Sequence, residues 1–262
     1  MKECALNLLE NQKIKKIRTA DFFNIIYNIT MIGKIEESLK KLKNKDKAEI
    51  LQRFFKTQKG QYGEGDKFLG IIVPLQRQVA KEYYKQIEID DLIELLNSDI
   101  HEFRLTAVFI LVYKFQKAEN KERDKIYKFY LKNIERINNW DLVDLSAPNI
   151  IGEYLKDKDR GVLYKLADSD NLWRRRVAIL STFSFIREND FKDALKISRI
   201  LLNDEHDLIN KAVGWMLREI GKRDLKTEEG FLLKYCKTMP RTTLRYAIER
   251  FSVDKRIFYL ER

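Results

Sequence analysis

Residues that crosslink a chain or bend it sharply are scarce in this sequence. Its 262 residues include two cysteines, two histidines, three prolines and ten glycines. The cysteines, Cys4 and Cys236, fit no disulfide framework and no metal-site spacing, so we expect a reducing cytoplasm. With only His101 and His206 in addition, we expect neither a metal site nor another cofactor.

A long apolar run is also missing. No stretch of about 18 apolar residues occurs, so we expect no membrane span. The most apolar early segment, ADFFNIIYNITMIG, contains polar residues and lacks the basic start and cleavage site of a signal peptide. Because a clean amphipathic helix (IGKIEESLKKL) begins just after Met31, we interpret residues 1–30 as a poorly ordered N-terminal extension, or as sequence upstream of the usual start. Residues 31–262 are then one continuous domain.

The scarcity of proline and glycine favours helices, since Leu, Ile, Lys, Glu, Arg and Ala fill long stretches. Five of these stretches place an alanine among large apolar residues, and a second amphipathic segment lies between each pair. The five alanines, 31 to 40 residues apart, are Ala107, Ala147, Ala178, Ala212 and Ala247. This period predicts an all-α fold, a superhelical α-solenoid of HEAT-like two-helix repeats. The alternative is an irregular helical bundle.

The chain carries an excess of positive charge. It has 51 Lys and Arg against 40 Asp and Glu, a net charge of +11 that is spread along the sequence. A basic face is the natural interpretation, with a nucleic acid as the polyanionic partner. The alternative is a lysine-rich, well-solvated surface without a specific partner.

The segment GQYGEGDKFLGI, residues 60–71, gathers several of the few glycines. It has neither the lysine nor the hydroxyl residue of a phosphate-binding loop, and no strand is predicted before it. We therefore reject a nucleotide-binding site and predict a surface turn that joins two helices.

The segment NNWDLVDLSAP places an aromatic ring and a carboxylate on one helix face. Trp140 and Asp144 are four residues apart, about 40° around a helix. We expect Asn138 to begin this helix and Asp141 to complement its positive N-terminus. Pro148 lacks the N–H that would bond the carbonyl of Asp144, so we expect a kink there. On spacing alone, a Trp and an Asp one turn apart are usually explained by packing and solvation, and this interpretation is favoured over a site.

Two further segments combine tryptophan with cations. Three arginines follow Trp173, and because three adjacent helical positions spread over about 200°, at least one guanidinium must leave the solvent face. Trp215 has a cation about one turn away on either side. Aromatic rings interleaved with cations suit a DNA backbone. Alternatively, Trp173 and Trp215 are core anchors between repeats.

Through these segments the sequence resembles the AlkD family of HEAT-like repeat DNA glycosylases. The resemblance runs from about Met31 to Arg262, through KAEILQRFFKTQKGQYGEGDKFLGI, WDLVD, DNLWRRRVAIL, INKAVGWMLRE and PRTTLRYAIERF. It implies a monomeric, cytoplasmic, nucleoid-associated enzyme of prokaryotic type that needs no cofactor. The implied reaction is hydrolysis of the N-glycosidic bond of cationic alkylated purines, such as 3-methyladenine and 7-methylguanine, in double-stranded DNA.

The resemblance also implies site residues. The implied catalytic group is Asp144, Trp140, Trp215 and Arg176. The expected DNA-binding residues are Phe54, Arg174, Arg175, Lys211, Arg218 and Arg245. Phe54 is a departure, because the founding glycosylase has a tyrosine on this helix. Two alternatives stay open: a non-catalytic binder of unusual DNA structures in the same family, and a HEAT-like protein-interaction scaffold.

Overall fold

The computed structural model describes residues 30–261. The N-terminal extension expected for residues 1–30 therefore lies outside the described residues, apart from Thr30. The Thr30 hydroxyl accepts a hydrogen bond of 3.1 Å from Gly33 N and so begins the first helix. Within the described range no β-strand occurs, and a single isolated bridge joins Lys67 and Ile100.

Helices joined by short turns account for most of this range. In the N-terminal half they are α1 (Met31–Lys41), α2 (Lys45–Phe54), α3 (Val73–Tyr83), α4 (Leu92–Leu96), α5 (His101–Lys117), α6 (Asn120–Lys132) and α7 (Trp140–Ala147). In the C-terminal half they are α8 (Glu153–Leu155), α9 (Gly161–Ala167), α10 (Leu172–Ser181), α11 (Phe183–Arg187), α12 (Lys192–Ile200), α13 (Asp207–Gly221), α14 (Leu225–Tyr235), α15 (Arg241–Ala247) and α16 (Val253–Leu260). None of these helices is long and apolar enough to cross a membrane.

One row of helices holds the repeat alanines. Helices α5, α7, α10, α13 and α15 each pack on the next in that order, and α6, α9, α12 and α14 form the second helices. All five alanines lie in the first row and are buried. A small side chain at the shared position lets neighbouring helices approach closely, and each pair buries an apolar face that it cannot cover alone. The predicted all-α solenoid is confirmed.

A glycine brings the last two helices of the row into contact. A Cβ atom on Gly214 of α13 would stand 2.5 Å from the carbonyl oxygen of Thr243 and 2.5 Å from Cβ of Tyr246. Helix α15 packs at this distance only because the side chain is absent. The close approach carries Tyr246 to the surface on which Trp215 lies.

The helix geometry changes at Pro148, where a kink is predicted. Helix α7 ends at Ala147, and residues Pro148–Gly152 form a π-helical turn. Proline cannot donate the hydrogen bond that a regular helix needs at this position, so the repeat pattern widens there. The Ser184 hydroxyl donates to the Pro148 carbonyl at 2.6 Å and fixes the turn against α11. Asp144 therefore lies one turn before a change in helix geometry.

Candidate functional site

Side chains from α7, α10, α13 and α15, and from the end of α2 and the segment after it, line a cavity of about 590 Å³. We call it the aromatic groove. Its lining combines aromatic rings, cations and two carboxylates. The lining residues are Phe54, Lys56, Tyr62, Trp140, Asp144, Arg176, His206, Asp207, Leu208, Lys211, Ala212, Trp215, Arg218 and Tyr246. The groove thus brings together all four residues of the predicted catalytic group.

A carboxylate and a guanidinium face each other at the base of the groove. Arg176 donates from Nε to Asp144 Oδ1 and from Nη2 to Asp144 Oδ2, both at 2.8 Å. Its Nη1 donates to the carbonyl oxygen of Leu208. Arg176 is 5% exposed. Its guanidinium therefore points away from the solvent, as predicted for at least one of the three arginines after Trp173. A bidentate pair of this kind fixes both the position and the plane of the carboxylate.

Burial and pairing act on Asp144 in opposite directions. Burial raises the pKa of the Asp144 carboxyl above its ordinary value, and the charge and hydrogen bonds of Arg176 oppose that rise. The net pKa stays raised, because removing a carboxylate from water penalises the charged form. Arg176 therefore favours the ionised form of Asp144.

Two tryptophans flank the carboxylate, each held by other residues. The Trp140 ring stacks on Phe55 with 5.1 Å between the ring centroids and meets the edge of Phe54 at 6.0 Å. Trp215 packs against Phe183, and its indole N–H donates to Glu219 Oε1 at 3.2 Å. Both tryptophans pack on the core, are partly buried and line the groove.

A buried histidine network lies behind Trp140. The His101 ring sits between two carboxylates, with Nδ1 3.0 Å from Asp66 Oδ2 and Nε2 2.8 Å from Asp141 Oδ2. The Phe68 ring stacks on the His101 ring with 4.6 Å between the centroids, and the Phe55 ring contacts it at 4.9 Å in a tilted arrangement. Since Phe55 also stacks on Trp140, the histidine supports the wall of the groove.

The start of α7, the helix that contains WDLVD, differs from the prediction in one respect. Asn139, rather than Asn138, precedes the helix, and its side-chain oxygen accepts a hydrogen bond from Trp140 N. Asp141 lies in the first turn as predicted, where Oδ1 accepts from Leu142 N at 2.8 Å. Its other oxygen is committed to His101. The sequence could not distinguish two adjacent asparagines as caps, since both have the required side chain.

The electrostatics of His101 lead to a pH prediction. Burial lowers the pKa of His101, but the carboxylates of Asp141 and Asp66 outweigh it and raise the pKa to about 9. This folded-state value exceeds the 6.5 of a free histidine. The stabilisation is therefore complete below pH 6.5 and is lost as the pH rises to about 9, a change on the order of 3 kcal/mol.

We expect urea unfolding between pH 6.5 and 9 to show this loss for the wild-type protein. The His101→Gln variant should be less stable at pH 6.5 and lose most of the slope, because the titrating group is gone. The His206→Asn variant, which retains a helix-capping side chain, is the matched control and should keep the slope. A wild-type stability that stays level from pH 6.5 to 9 contradicts the assignment.

The glycine-rich segment is more than the predicted surface turn. It does join α2 to α3, but Asp66 within it is buried and accepts hydrogen bonds from Arg104 at 2.6 Å and from Asn139 at 3.0 Å. The carboxylate of Glu102 accepts from the backbone amides of residues 69–71. Sequence reasoning missed this because the partners lie 31 to 73 residues away.

The predicted DNA-binding cations have different surroundings. Arg174 pairs with Glu135 across an exposed surface. Arg175 is largely buried and is held by Asp204 and by two backbone carbonyls. Neither lines the groove, whereas Lys211 and Arg218 do.

Of the remaining predicted contacts, Phe54, Lys211 and Arg218 line the groove and Arg245 does not. Lys211 pairs with Asp207 at 2.7 Å, and Arg218 pairs with Glu249. Arg245 is exposed and forms no ion pair with any residue of the range 30–261. Phe54 is 60% exposed and presents a ring edge without a polar atom. Their contact with DNA stays a prediction.

Seven lining residues were not among the predicted site residues: Lys56, Tyr62, His206, Asp207, Leu208, Ala212 and Tyr246. Lys56 and Tyr246 lie inside the quoted segments, close to the predicted residues Phe54 and Arg245. His206 caps α13 through Nδ1, which accepts from Leu208 N. Tyr62 lies in the segment taken for a surface turn. In the described part of the chain no group of three His, Cys, Asp or Glu side chains is arranged to hold a metal ion.

Known proteins share sequence features and the fold of this chain. A family model described as DNA alkylation repair enzyme matches residues 35–251. A predicted DNA alkylation repair enzyme from Enterococcus faecalis superposes with a TM-score of 0.62 at 18% identity, over 80% of this chain and 97% of that chain. AlkD2 from Streptococcus mutans superposes with a TM-score of 0.50 at 21% identity, over 80% and 99%. No curated protein sequence matches. At these identities the solved structures establish the fold.

Proposed function

The chain belongs to the family of DNA alkylation repair enzymes, and from that premise we propose that it is a DNA glycosylase for cationic N-alkylated purines. The bond hydrolysed is the N-glycosidic bond of lesions such as 3-methyladenine and 7-methylguanine in duplex DNA. One observation carries the proposal: the Asp144 carboxylate lies in the aromatic groove, oriented by Arg176 and flanked by Trp140 and Trp215. We further propose that the protein acts as a monomer in the cytoplasm, where the nucleoid lies.

The arrangement suits this chemistry. An alkylated purine already carries a positive charge, so it leaves without a strong acid to protonate it. As the bond from C1′ to nitrogen lengthens, the positive charge moves to the deoxyribose. A fixed carboxylate at Asp144 stabilises that charge without reorganising at the moment of reaction. Water then adds to C1′, the base leaves as a neutral molecule, and the proton of the water passes to Asp144 or to solvent.

The proposed role of Trp140 and Trp215 is to surround the sugar cation with aromatic rings. The faces of Trp140 and Trp215 attract the cationic sugar through their ring quadrupoles and exclude bulk water from it. Excluding water strengthens the interaction between the carboxylate and the sugar cation. Selectivity then arises from the lability of cationic lesions rather than from contacts to base edges.

We assign the binding of DNA phosphates to lysine and arginine side chains of the groove. Lys56, Lys211 and Arg218 line the cavity, and Arg245 is an exposed cation of α15 that precedes the lining residue Tyr246. Arg176 is paired with Asp144, so its proposed role is to hold the carboxylate in position. Contacts between cations and phosphates release counterions, and DNA affinity should fall steeply with salt.

The direct test is release of methylated bases. Purified protein is incubated with methylated duplex DNA, and free 3-methyladenine and 7-methylguanine are measured without an alkaline step, with unmethylated duplex as control. We expect release that needs no added metal or cofactor. Salt-dependent DNA binding without release favours the non-catalytic DNA-structure binder. Absence of DNA binding favours the protein-interaction scaffold.

A further inference from the structure

A lysine of the aromatic groove occupies a backbone position where glycine is usual. Lys56 follows Phe55, the C-cap of α2, and has a φ of 51°, in the left-handed region. Its amide donates to the Arg53 carbonyl at 3.2 Å, and the amide of Thr57 donates to the Gln52 carbonyl at 3.4 Å. These two bonds form a Schellman motif, whose left-handed residue is usually glycine because a side chain is strained there.

The chain contains another motif of this kind, and it uses a residue that tolerates the conformation. Asn189, with a φ of 61°, follows Glu188, the C-cap of α11. Its amide donates to the Ile186 carbonyl at 3.1 Å, and the amide of Asp190 donates to the Phe185 carbonyl at 3.0 Å. Asparagine adopts a left-handed backbone more readily than lysine does. Asn189 does not line the aromatic groove, so the less tolerant residue is the one at the groove.

The glycine-rich segment holds this cap of α2 in place. The Lys56 carbonyl accepts a hydrogen bond of 3.2 Å from the amide of Gly63. A Cβ atom on Gly63 would stand 2.4 Å from the Phe55 carbonyl oxygen, so the loop packs directly on the end of the helix. The Thr57 hydroxyl donates to the Gln52 carbonyl at 3.1 Å. Bonds on both sides of the left-handed residue therefore offset its strain.

Lys56 also differs from the other cations of the groove in its charge environment. The other lysine and arginine side chains that line the cavity are each paired with a carboxylate: Arg176 with Asp144, Lys211 with Asp207 and Arg218 with Glu249. Among residues 30–261, no carboxylate lies within ion-pair distance of Lys56. A paired cation must leave its carboxylate before it binds a phosphate, whereas an unpaired cation gives up only water.

Resting on the proposed glycosylase function, we infer that Lys56 is the principal phosphate-binding cation of the aromatic groove and that the strained cap keeps it there. Its ammonium contacts a backbone phosphate of the strand whose alkylated nucleotide faces Asp144. An ammonium suits this contact, because it binds phosphate as a compact point charge. Glycine at this position would give a more stable end to α2 and would leave the groove without its unpaired cation.

The contact is tested by equilibrium affinity for a fluorescently labelled duplex with a single abasic-site analogue. Lys56→Gln should weaken binding about tenfold and reduce the slope of log affinity against log salt by about 1. The matched control is Lys59→Gln, which removes an exposed lysine of the same loop that does not line the groove. It should stay within about twofold of the wild type. Equal affinities of Lys56→Gln and Lys59→Gln overturn the inference.

The strain at the cap is tested at the same position. Lys56→Gly should raise the melting temperature by about 2 °C, because glycine adopts the left-handed backbone without strain. The same variant should lose as much DNA affinity as Lys56→Gln. Asn189→Gly, the matched control at the other cap, should change the melting temperature less and keep the wild-type affinity. A Lys56→Gly variant that melts below the wild type, or that binds DNA as tightly, overturns the inference.

Base release separates this inference from the glycosylase proposal. In Lys56→Gln, KM should rise about tenfold with kcat within about twofold of the wild type, since a phosphate contact is equal in the ground and transition states. A fall in kcat at unchanged KM contradicts the binding role. Should the wild type release no base, the glycosylase proposal fails, and the affinities of Lys56→Gln and Lys59→Gln still decide the inference. A wild type that binds no DNA overturns both.

Discussion

The Asp144→Asn variant is expected to release 7-methylguanine from methylated duplex DNA at least about a hundred times more slowly than the wild type. The substitution keeps the shape of the side chain and removes its charge. An amide cannot stabilise the developing sugar cation, although its oxygen can still accept a hydrogen bond from Arg176. Because the phosphate-binding cations are unchanged, DNA affinity should stay within about threefold of the wild type in filter binding.

The other carboxylate of the groove provides the control for this variant. Asp207 also lines the cavity, but it is exposed and pairs with Lys211. In Asp207→Asn we expect a modest gain in DNA affinity from the lost negative charge and little change in the rate of base release. Equal rates in Asp144→Asn and wild type contradict the proposed role of Asp144. Equal losses in both variants indicate that the overall charge of the groove matters rather than one carboxylate.

Fold stability separates a chemical effect from a structural one. Burial raises the pKa of Asp144, so the charged form is penalised in the folded protein. Removing that charge costs little stability as long as Arg176 keeps an acceptor. Asp144→Asn should therefore melt close to the wild type. A large fall in melting temperature means that the rate loss reports unfolding.

Sequence patterns predicted the fold because they depend on local features. The recurring alanines and the amphipathic segments between them are set by the period of a helix, and the break at Pro148 follows from one missing donor. The resemblance to the AlkD family is confirmed by the matching family model and by solved structures of DNA alkylation repair proteins.

The site was predicted only in part, and the reason is distance along the chain. Trp140 and Asp144 share one helix face, so their proximity is visible in the sequence. The Asp144–Arg176 pair joins residues 32 positions apart, and only the stacking of α7 on α10 reveals it. The network of His101 joins three segments of the chain. Nothing local distinguishes Asp66 or Tyr62 from ordinary loop residues, and only the fold brings Tyr62 to the groove and Asp66 to the network of His101.

Arg176→Met is expected to destabilise the protein by about 3–5 kcal/mol at neutral pH, because it leaves the Asp144 carboxylate buried without a partner. Methionine fills similar volume, so little of the loss comes from a cavity. Arg174→Met is the matched control, since Arg174 is the exposed arginine of the same run and pairs with Glu135 across the surface. That variant should lose about 1 kcal/mol or less. Urea unfolding at pH 7 measures both.

The pH dependence identifies the cause of the Arg176 effect. Without Arg176 only burial acts on Asp144, so its pKa rises further, and the folded state then binds a proton that the unfolded state does not. Stability lost at pH 7 should therefore be partly regained as the pH falls toward 5. The acidic limb of the rate of base release should move to higher pH, because the active form is ionised. The double variant Asp144→Asn/Arg176→Met should be more stable at pH 7 than Arg176→Met alone. If Arg176 acts only by gripping a phosphate, stability and the acidic limb stay unchanged and only DNA affinity falls.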